Sequence, residues 1–264
     1  MEIATCSRRP VLVPCGLKIA DYQVDPYVGC AHHCHYCYAL NQAETDWTRK
    51  ILTHPDIETR LAEALEKIPP QNIYMGYYTD PYQPCEAECL QTRKILESLL
   101  EKGFTASILT KSDLVLRDLD LLRRMGKASV SVSVAFSDNR DRERFEADTK
   151  DTEDRIEALR KLREAGVKTS ALLCPVIPHV TDAAPLIDRL EPLADTIWIY
   201  GLNMERRSDR NWRNLKAIFK EFYPDLREEI EEIVFSKDHP FWTRLRRDLE
   251  KMRKERGLNL SVHV

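Results

Sequence analysis

The sequence contains little glycine, no long apolar run and no excess of one charge. Only 8 of its 264 residues are glycine, and without a Gly/Ser-rich linker or an internal repeat, two flexibly joined domains are not expected. No apolar stretch approaches the roughly 20 residues that a membrane span requires. The 40 basic and 43 acidic residues give a formal charge of -3. The overall charge therefore does not attract the chain to nucleic acid or to a membrane.

Cysteine is too sparse for a small domain held together by disulfides, since the chain has eight cysteines in 264 residues. The first 15 residues, MEIATCSRRPVLVPC, lack the long apolar stretch of a secretory signal peptide. We therefore expect a cytoplasmic protein without membrane association. In that reducing compartment, clustered cysteines indicate metal or redox chemistry before disulfides.

Helix-like and strand-like patterns alternate after about residue 40. Apolar residues at helical spacing predict a helix from Asp56 to Ile68, which Pro69 ends. The same criteria predict helices at 87–102, 115–125, 152–165 and 183–193, and strands at 72–78, 105–109, 128–136, 167–174 and 196–202. Such alternation is typical of parallel strands joined by crossover helices. We predict an α/β fold, a partial (β/α)6 TIM-like barrel whose active residues follow the carboxyl ends of the strands.

The C-terminal part of the chain differs in composition from the rest. From about residue 206 it is helical in pattern, highly charged and aromatic, so we expect a barrel core at 1–205 and a charged helical extension at 206–264 packed on it. Within the extension, residues 236–257 hold eight Lys/Arg against four Asp/Glu. This stretch gives weak support to nucleic-acid binding through phosphates. A solvated amphipathic helix is the favoured interpretation.

The strongest chemical signal is the triplet Cys30, Cys34 and Cys37, with C-x3-C-x2-C spacing. Three thiolates on so short a segment can surround one metal centre. A structural zinc site normally has four ligands, whereas three cysteines leave one iron of a 4Fe-4S cluster open to a small molecule. The spacing alone keeps a zinc site possible. The nearby histidines that would complete it are His32, His33 and His35.

The triplet, with an aromatic residue before its third cysteine, resembles the signature of the radical S-adenosylmethionine (SAM) superfamily. Three blocks are similar to its spore photoproduct lyase-like branch and occur in the expected order. They are Asp25-Pro-Tyr-Val-Gly-Cys-Ala-His-His-Cys-His-Tyr-Cys-Tyr-Ala39, Thr79-Asp-Pro-Tyr-Gln-Pro84 and Cys174-Pro-Val-Ile-Pro-His-Val-Thr-Asp182. The resemblance covers roughly residues 20 to 205.

The resemblance implies a radical mechanism. The open iron of the cluster would bind SAM, and an electron from the cluster would cleave the sulfonium to methionine and a 5'-deoxyadenosyl radical that abstracts hydrogen from a substrate. A cellular one-electron reductant such as flavodoxin or ferredoxin would supply the electron.

The resemblance also implies which residues bind SAM. Tyr36 occupies the aromatic position near the adenine, and Pro178 matches the segment that shapes the adenine pocket. Thr79 and Asp80 replace a Gly-Gly-Glu-Pro segment that contacts the methionyl amino group in many relatives, and the carboxylate of Asp80 is a suitable acceptor. Contacts to the SAM carboxylate and ribose are expected from Lys111, Ser112, Ser133 and Arg155. The guanidinium of Arg155 is expected to clamp the carboxylate in bidentate fashion. A solvated or ion-paired role is the alternative for each of these residues.

Four other cysteines, Cys6, Cys15, Cys85 and Cys89, offer enough thiolates for an auxiliary Fe-S cluster. Cys85 and Cys89 lie four residues apart at the start of a predicted helix, hence on one face. Free cysteine is, however, among the most buried residue types and packs as a small apolar side chain. Burial is therefore the favoured interpretation of these four residues.

Two residues are candidates for the catalytic hydrogen donor. Cys174 ends the fifth predicted strand, where a thiol can donate hydrogen to a product radical, although core packing also explains it. The lyase that gives the branch its name repairs a thymine dimer in DNA with a cysteine placed before Thr-Ser-Asp. This chain has Tyr77 and Tyr78 before Thr79 and Asp80, which removes that donor and leaves Tyr77 as a second candidate.

The substrate is open at this stage. The primary prediction is a radical SAM enzyme acting on an unidentified substrate, and a small molecule, a peptide or RNA is equally open. A DNA photoproduct lyase-type repair enzyme is the alternative within that class. A non-catalytic metal-binding or adaptor module is the alternative from a different class, and it would not need SAM-binding positions on three further strands.

Overall fold

The computed structural model of the protein describes residues 1–7 and 9–264. The strands are β1 (Glu2–Thr5), β2 (Val13–Pro14), β3 (Tyr22–Gln23), β4 (Tyr27–Val28), β5 (Lys50–Thr53), β6 (Asn72–Met75), β7 (Thr105–Thr110), β8 (Ser129–Ser133), β9 (Lys168–Val176), β10 (Thr196–Gly201) and β11 (Leu260–His263). The helices are α1 (Ile57–Leu65), α2 (Glu86–Cys89), α3 (Gln91–Glu101), α4 (Leu119–Arg124), α5 (Asn139–Phe145), α6 (Thr152–Glu164), α7 (Ala183–Leu190), α8 (Arg210–Phe222), α9 (Arg227–Phe235) and α10 (Pro240–Arg256). Short 3-10 helices lie at Tyr38–Gln42, Asp113–Asp118 and Glu191–Leu193.

The main sheet has eight strands in the order β11-β10-β9-β8-β7-β6-β3-β2. The seven from β3 to β11 are parallel, and β2 pairs antiparallel with β3 at the edge. The sheet runs from β2 to β11 as an open series rather than a closed ring. This architecture confirms the predicted α/β fold and partial barrel.

Alternating burial explains why the predicted strands form. Along β7, half-buried positions alternate with buried ones, as expected where each side chain points to the opposite face from its neighbour. The helices cover the outer face, and α1 buries Ile57, Leu61 and Leu65 against it. The predicted helix at 87–102 is divided into α2 and α3 because Leu90 adopts a left-handed φ of 55°.

The C-terminal extension contains the expected helices α8, α9 and α10, but it also contributes a strand that the sequence analysis missed. β11 pairs in parallel with β10, and the ring of His263 stacks on that of Tyr200 at 4.7 Å. Trp242 of α10 is buried, and its indole nitrogen donates to the carbonyl oxygen of Ile233 at 2.9 Å. The extension is therefore partly a continuation of the sheet.

A second, three-stranded sheet of order β1-β5-β4 lies near the amino terminus. The segment that carries the cysteine triplet follows β4 directly. Among residues 1–7 and 9–264, no helix is both long and apolar enough to cross a membrane.

Candidate active site

The cysteine triplet lies on a tight loop, which we call the cluster loop (residues 29–38). Gly29 begins it with a φ of 98°, and a side chain there would place Cβ 3.0 Å from Cδ1 of Trp47. Both the left-handed backbone and the contact with Trp47 require glycine. His33 also has a positive φ, of 43°, so the loop turns sharply twice between β4 and the 3-10 helix at Tyr38–Gln42.

Two buried polar side chains after β6 hold the cluster loop in place. The amide nitrogen of Gln83 donates to the carbonyl oxygen of Gly29 at 3.0 Å, and its amide oxygen accepts from the backbone N–H of Ala31 at 2.8 Å. The hydroxyl of Thr79 donates to the same carbonyl oxygen of Gly29 at 2.6 Å and accepts from Gln83 at 2.9 Å. Thr79 was predicted as a SAM contact, and here it supports the loop. Gln83 was missed, and only its place in the second sequence block pointed to it.

Of the three thiols of the loop, that of Cys34 is buried and those of Cys30 and Cys37 are half-buried. Burial raises the pKa of Cys30 to about 12. The pKa of Cys34 is also raised, by burial, by Glu146 and by the neighbouring Cys30 and Cys37. The ammonium of Lys111 opposes these shifts at Cys34 and Cys37. This set of donors suits a metal centre that replaces the thiol protons, because the ammonium of Lys111 beside it favours the thiolates.

The histidines of the loop have other contacts. His32 places Nδ1 3.0 Å from the carbonyl oxygen of Asp148 and Nε2 3.4 Å from Oδ2 of Asp80. His33 and His35 pack edge to face, with ring centroids 5.5 Å apart. In the described part of the chain, no three His, Cys, Asp or Glu side chains are placed to hold one metal ion. A 4Fe-4S cluster does not require that arrangement, because each cysteine binds a different iron.

A network of buried charges, which we call the Glu146 network, lies beside the cluster loop. The carboxylate of Glu146 lies 3.2 Å from Nζ of Lys111 and 2.6 Å from Nη2 of Arg155, and it accepts a hydrogen bond from the hydroxyl of Tyr36. Lys111 also donates to the hydroxyl of Ser133 at 2.6 Å. The structure thus brings together four predicted SAM contacts around a glutamate that the sequence analysis missed.

The charges of this network stabilise one another. Burial alone would raise the pKa of Glu146, but Arg155 and Lys111 lower it to about 2. Burial opposes the charged forms of Lys111 and Arg155, yet Glu146 raises the pKa of both. Burial and the adjacent carboxylate raise the pKa of Tyr36 well above its usual value. The network therefore contains two cations, one anion and a neutral phenol.

Asp80 is already bonded to protein donors. Its carboxylate accepts from the hydroxyl of Thr110 and the backbone N–H of Lys111, both at 2.7 Å, and from the backbone N–H of Tyr82 at 2.8 Å. Burial raises the pKa of Asp80, but His32 and these donors hold it below its usual value. Its contacts join the ends of β6 and β7 to the cluster loop.

Ser112 and Pro178 lie outside the Glu146 network. The hydroxyl of Ser112 caps the 3-10 helix at Asp113–Asp118 by accepting from the backbone N–H of Leu114 at 3.2 Å. Ser112 also lines a cleft of about 700 Å³, together with His32, Asp148 and Thr149. Pro178 is buried after β9, next to Ile177, which belongs to the apolar cluster against which Tyr36 packs.

The two candidate hydrogen donors occupy different places. Burial raises the pKa of Cys174 on β9 to about 11. The charges of Lys111, Glu146 and Cys37 also influence this pKa, so Cys174 lies near them. Tyr77 lies in a group of three tyrosines, which we call the tyrosine rim. Its ring centroid is 5.7 Å from that of Tyr38 and 4.5 Å from that of Tyr78. Side chains of the rim are exposed, at 48% for Tyr38 and 40% for Tyr78.

The four cysteines considered for an auxiliary cluster are not gathered at one place. Cys6 lies 3.7 Å from Nδ1 of His54. Cys85 and Cys89 perturb each other across one turn at α2, and Cys15 lies near Tyr77. An auxiliary cluster on these four residues is unsupported.

Comparison with known proteins gives the family. The model of the radical SAM superfamily matches residues 24–189, which include the cluster loop and the strands from β6 to β9. The chain belongs to this superfamily. It is a radical SAM enzyme, and the match accounts for the predicted barrel. An uncharacterized protein of Methanocaldococcus jannaschii is 29% identical over 234 residues, 87% of each chain. A radical SAM Nα-GlyT isomerase of Pseudomonas phage M6 is 27% identical over 120 residues, 44% of this chain and 25% of the isomerase.

Solved radical SAM structures share the fold. Spore photoproduct lyase in complex with dinucleoside spore photoproduct has a TM-score of 0.62 at 20% identity, over 83% of this chain and 66% of the lyase. SuiB from Streptococcus suis bound to S-adenosylmethionine has a TM-score of 0.58 at 13% identity, over 91% of this chain and 49% of SuiB. The chain thus spans about two thirds of the length of the lyase. These likenesses confirm the expected resemblance to the spore photoproduct lyase-like branch at the level of the fold.

Proposed function

We propose that the protein binds a 4Fe-4S cluster through Cys30, Cys34 and Cys37 and uses it to cleave SAM reductively. The observation that carries this proposal is the placement of the three thiols on one short loop, each within reach of the charges of its neighbours, beside the Glu146 network. When bound, the cluster supplies the electron that converts SAM to methionine and a 5'-deoxyadenosyl radical, which abstracts hydrogen from the substrate. A one-electron protein donor such as flavodoxin or ferredoxin is the proposed reductant.

The chain's own residues have separate tasks in this proposal. Lys111, Ser133 and Arg155 bind the methionyl carboxylate, and Tyr36 packs near the adenine. Four further residues shape the site by fixing its loops, namely Thr79, Asp80, Ser112 and Pro178. The pairing of Lys111 and Arg155 supports the first assignment, because one carboxylate holds the two cations side by side and charged donors in that arrangement suit a ligand carboxylate.

The test is anaerobic reconstitution with iron and sulfide, followed by dithionite, SAM and chromatography for 5'-deoxyadenosine. We expect about four irons per chain and 5'-deoxyadenosine from the wild type. The Cys34→Ala variant should give none. Cys6→Ala, which alters a cysteine far along the chain from the cluster loop, is the matched control and should retain production. Equal production by Cys34→Ala and the wild type would refute the proposal.

A second proposal concerns the substrate, and the tyrosine rim supports it. Exposed aromatic rings beside the cluster loop provide surfaces on which a nucleobase can stack. We therefore propose a substrate that contains a nucleobase, such as a modified base in DNA or RNA, with other small molecules and peptides as the alternative. Replacing Tyr78 by alanine should weaken crosslinking of a photoactivatable single-stranded oligonucleotide, and unchanged crosslinking would count against this substrate class.

Cys174 is the proposed hydrogen donor, with Tyr77 as the second candidate. Cys174 is supported by its position near Lys111 and Cys37, whereas Tyr77 is half-buried in the tyrosine rim. With SAM alone, Cys174→Ala should still form 5'-deoxyadenosine, because the thiol is needed only after hydrogen abstraction. We further propose a single functional unit in which residues 206–264 extend the core at 1–205. We propose that it works in a reducing cytoplasm, where the cysteines outside the cluster stay reduced.

A further inference from the structure

Glu146 has contacts that suggest a role in the proposed SAM site. It follows α5 directly and is fully buried. Its three partners come from separate segments, namely Tyr36 from the cluster loop, Lys111 from the end of β7 and Arg155 from α6. One carboxylate therefore connects three elements that surround the predicted cofactor site.

The partners of Glu146 are also fixed by neutral groups. Ser133 accepts from Lys111 through its hydroxyl at 2.6 Å and from Arg155 through its backbone carbonyl at 3.0 Å. Arg155 also donates through Nε to the carbonyl oxygen of Lys150 at 2.9 Å. These neutral acceptors orient the two cations but do not balance their charge. Within the network Glu146 balances one of the two charges, so the cations can also pair with an anion outside it, either a cluster thiolate or a ligand.

The methionyl end of SAM carries such an anion, its carboxylate. A seat with two cations and no fixed carboxylate would hold two long, mobile side chains that repel each other. A site in which two fixed carboxylates balanced both cations would have no unpaired positive charge for the carboxylate of SAM. Glu146 gives the intermediate arrangement, in which one carboxylate holds both cations in place and does not balance both of their charges.

We propose that Glu146 is a positioning residue for SAM, which acts by holding Lys111, Arg155 and Tyr36 in the geometry that binds it. This inference rests on the proposed function. Glu146 does not itself touch SAM. Its removal should therefore weaken SAM binding more than it impairs the later steps.

The chain offers a matched control in Asp118. This carboxylate is also fully buried, lies 2.8 Å from Arg93 and 2.7 Å from Arg117, and accepts from the hydroxyl of Tyr82 at 3.1 Å. Its network contains two arginines, a tyrosine and a second buried carboxylate, that of Glu86, 2.6 Å from Arg117, but none of the predicted SAM contacts. Glu146→Gln and Asp118→Asn therefore each remove one buried charge, and only the first removes it from the proposed SAM site.

The experiment uses the reconstituted, reduced holoenzyme. The SAM concentration that half-changes the electron paramagnetic resonance spectrum of the cluster is measured, together with the melting temperature and the KM and kcat for 5'-deoxyadenosine formation. We expect both variants to lower the melting temperature. Only Glu146→Gln should raise the half-effect concentration and the KM for SAM, by about tenfold or more, since charge-assisted contacts are lost. Glu146→Asp, which keeps the charge, should recover part of the affinity.

Two results would overturn the inference. Equal SAM affinity in Glu146→Gln and Asp118→Asn would leave Glu146 with a merely structural role. Tighter SAM binding in Glu146→Gln would mean that Glu146 competes with SAM for the two cations. If Glu146→Gln does not fold, Tyr36→Phe removes one contact of Glu146 and should weaken SAM binding about threefold, and unchanged affinity would refute the role. A wild type whose spectrum does not respond to SAM would overturn the proposed function itself, and the role of Glu146 with it.

Discussion

Replacement of Gln83 by leucine tests how the cluster loop is held. Leucine has similar bulk but cannot donate to the carbonyl oxygen of Gly29 or accept from the N–H of Ala31, contacts of 3.0 and 2.8 Å. Thr79 still donates to Gly29, so the main loss is one buried N–H without an acceptor. An unsatisfied buried group costs about 1 to 3 kcal/mol. We therefore expect a destabilisation of about 1 to 3 kcal/mol and faster loss of the cluster.

Urea unfolding of the holoenzyme and the rate at which a chelator removes iron measure these two effects. Gln91→Leu is the matched control, because Gln91 is also buried and its amide oxygen has no hydrogen-bond partner among the described residues. This control should unfold and release iron much as the wild type does. The reasoning is refuted if Gln83→Leu loses no more stability and releases iron no faster than Gln91→Leu.

Two further predictions concern stability. Gly29→Ala should cost about 1 to 3 kcal/mol of stability, because of the positive φ of Gly29 and its contact with Trp47. Gly126→Ala should cost less, since Gly126 has open space around it at a φ of 65°. Urea unfolding compares the two variants, and equal costs would contradict the steric argument. Burial lowers the pKa of His54 to about 4, so the folded state keeps it neutral while the unfolded state takes up a proton below about pH 6.5. Stability should therefore fall by about 1 kcal/mol between pH 7.5 and 5.5 on account of His54, and His54→Gln should lose less over this range; an unchanged pH dependence would count against a neutral, buried His54.

The alternation of helices and strands was predictable because each element is amphipathic or buried over its own length. The strand at Thr105–Thr110 and the helix at Thr152–Glu164 match their predicted positions within a residue. The missed strand Leu260–His263 has only four residues. It is stabilised by pairing with β10, more than 50 residues earlier in the chain, and no local pattern reports such a partner.

The cysteines of the cluster loop were predictable from the sequence, because ligands that bind one metal centre from a single short loop recur at a fixed, short spacing. The Glu146 network has no such constraint. Residues 137–151 contain many charged side chains and look like a solvated surface segment in the sequence. In the structure this segment forms α5 and buries Glu146 against Arg155, nine residues later on α6, and Lys111, 35 residues earlier after β7. A charge is buried only with its partners, and the partners become adjacent only in the fold.

The site therefore rests on two kinds of support, and their chemistry differs. Gln83 and Thr79 hold the cluster loop through uncharged hydrogen bonds to its backbone, so their loss should affect the cluster first. Glu146 holds side chains through charge, so its loss should affect SAM first. Lys111 also lies near Cys34 and Cys37. It therefore lies beside both the cysteines of the cluster and the carboxylate of Glu146. A variant of Lys111 should therefore weaken cluster retention and SAM binding together, whereas Gln83→Leu and Glu146→Gln should separate them.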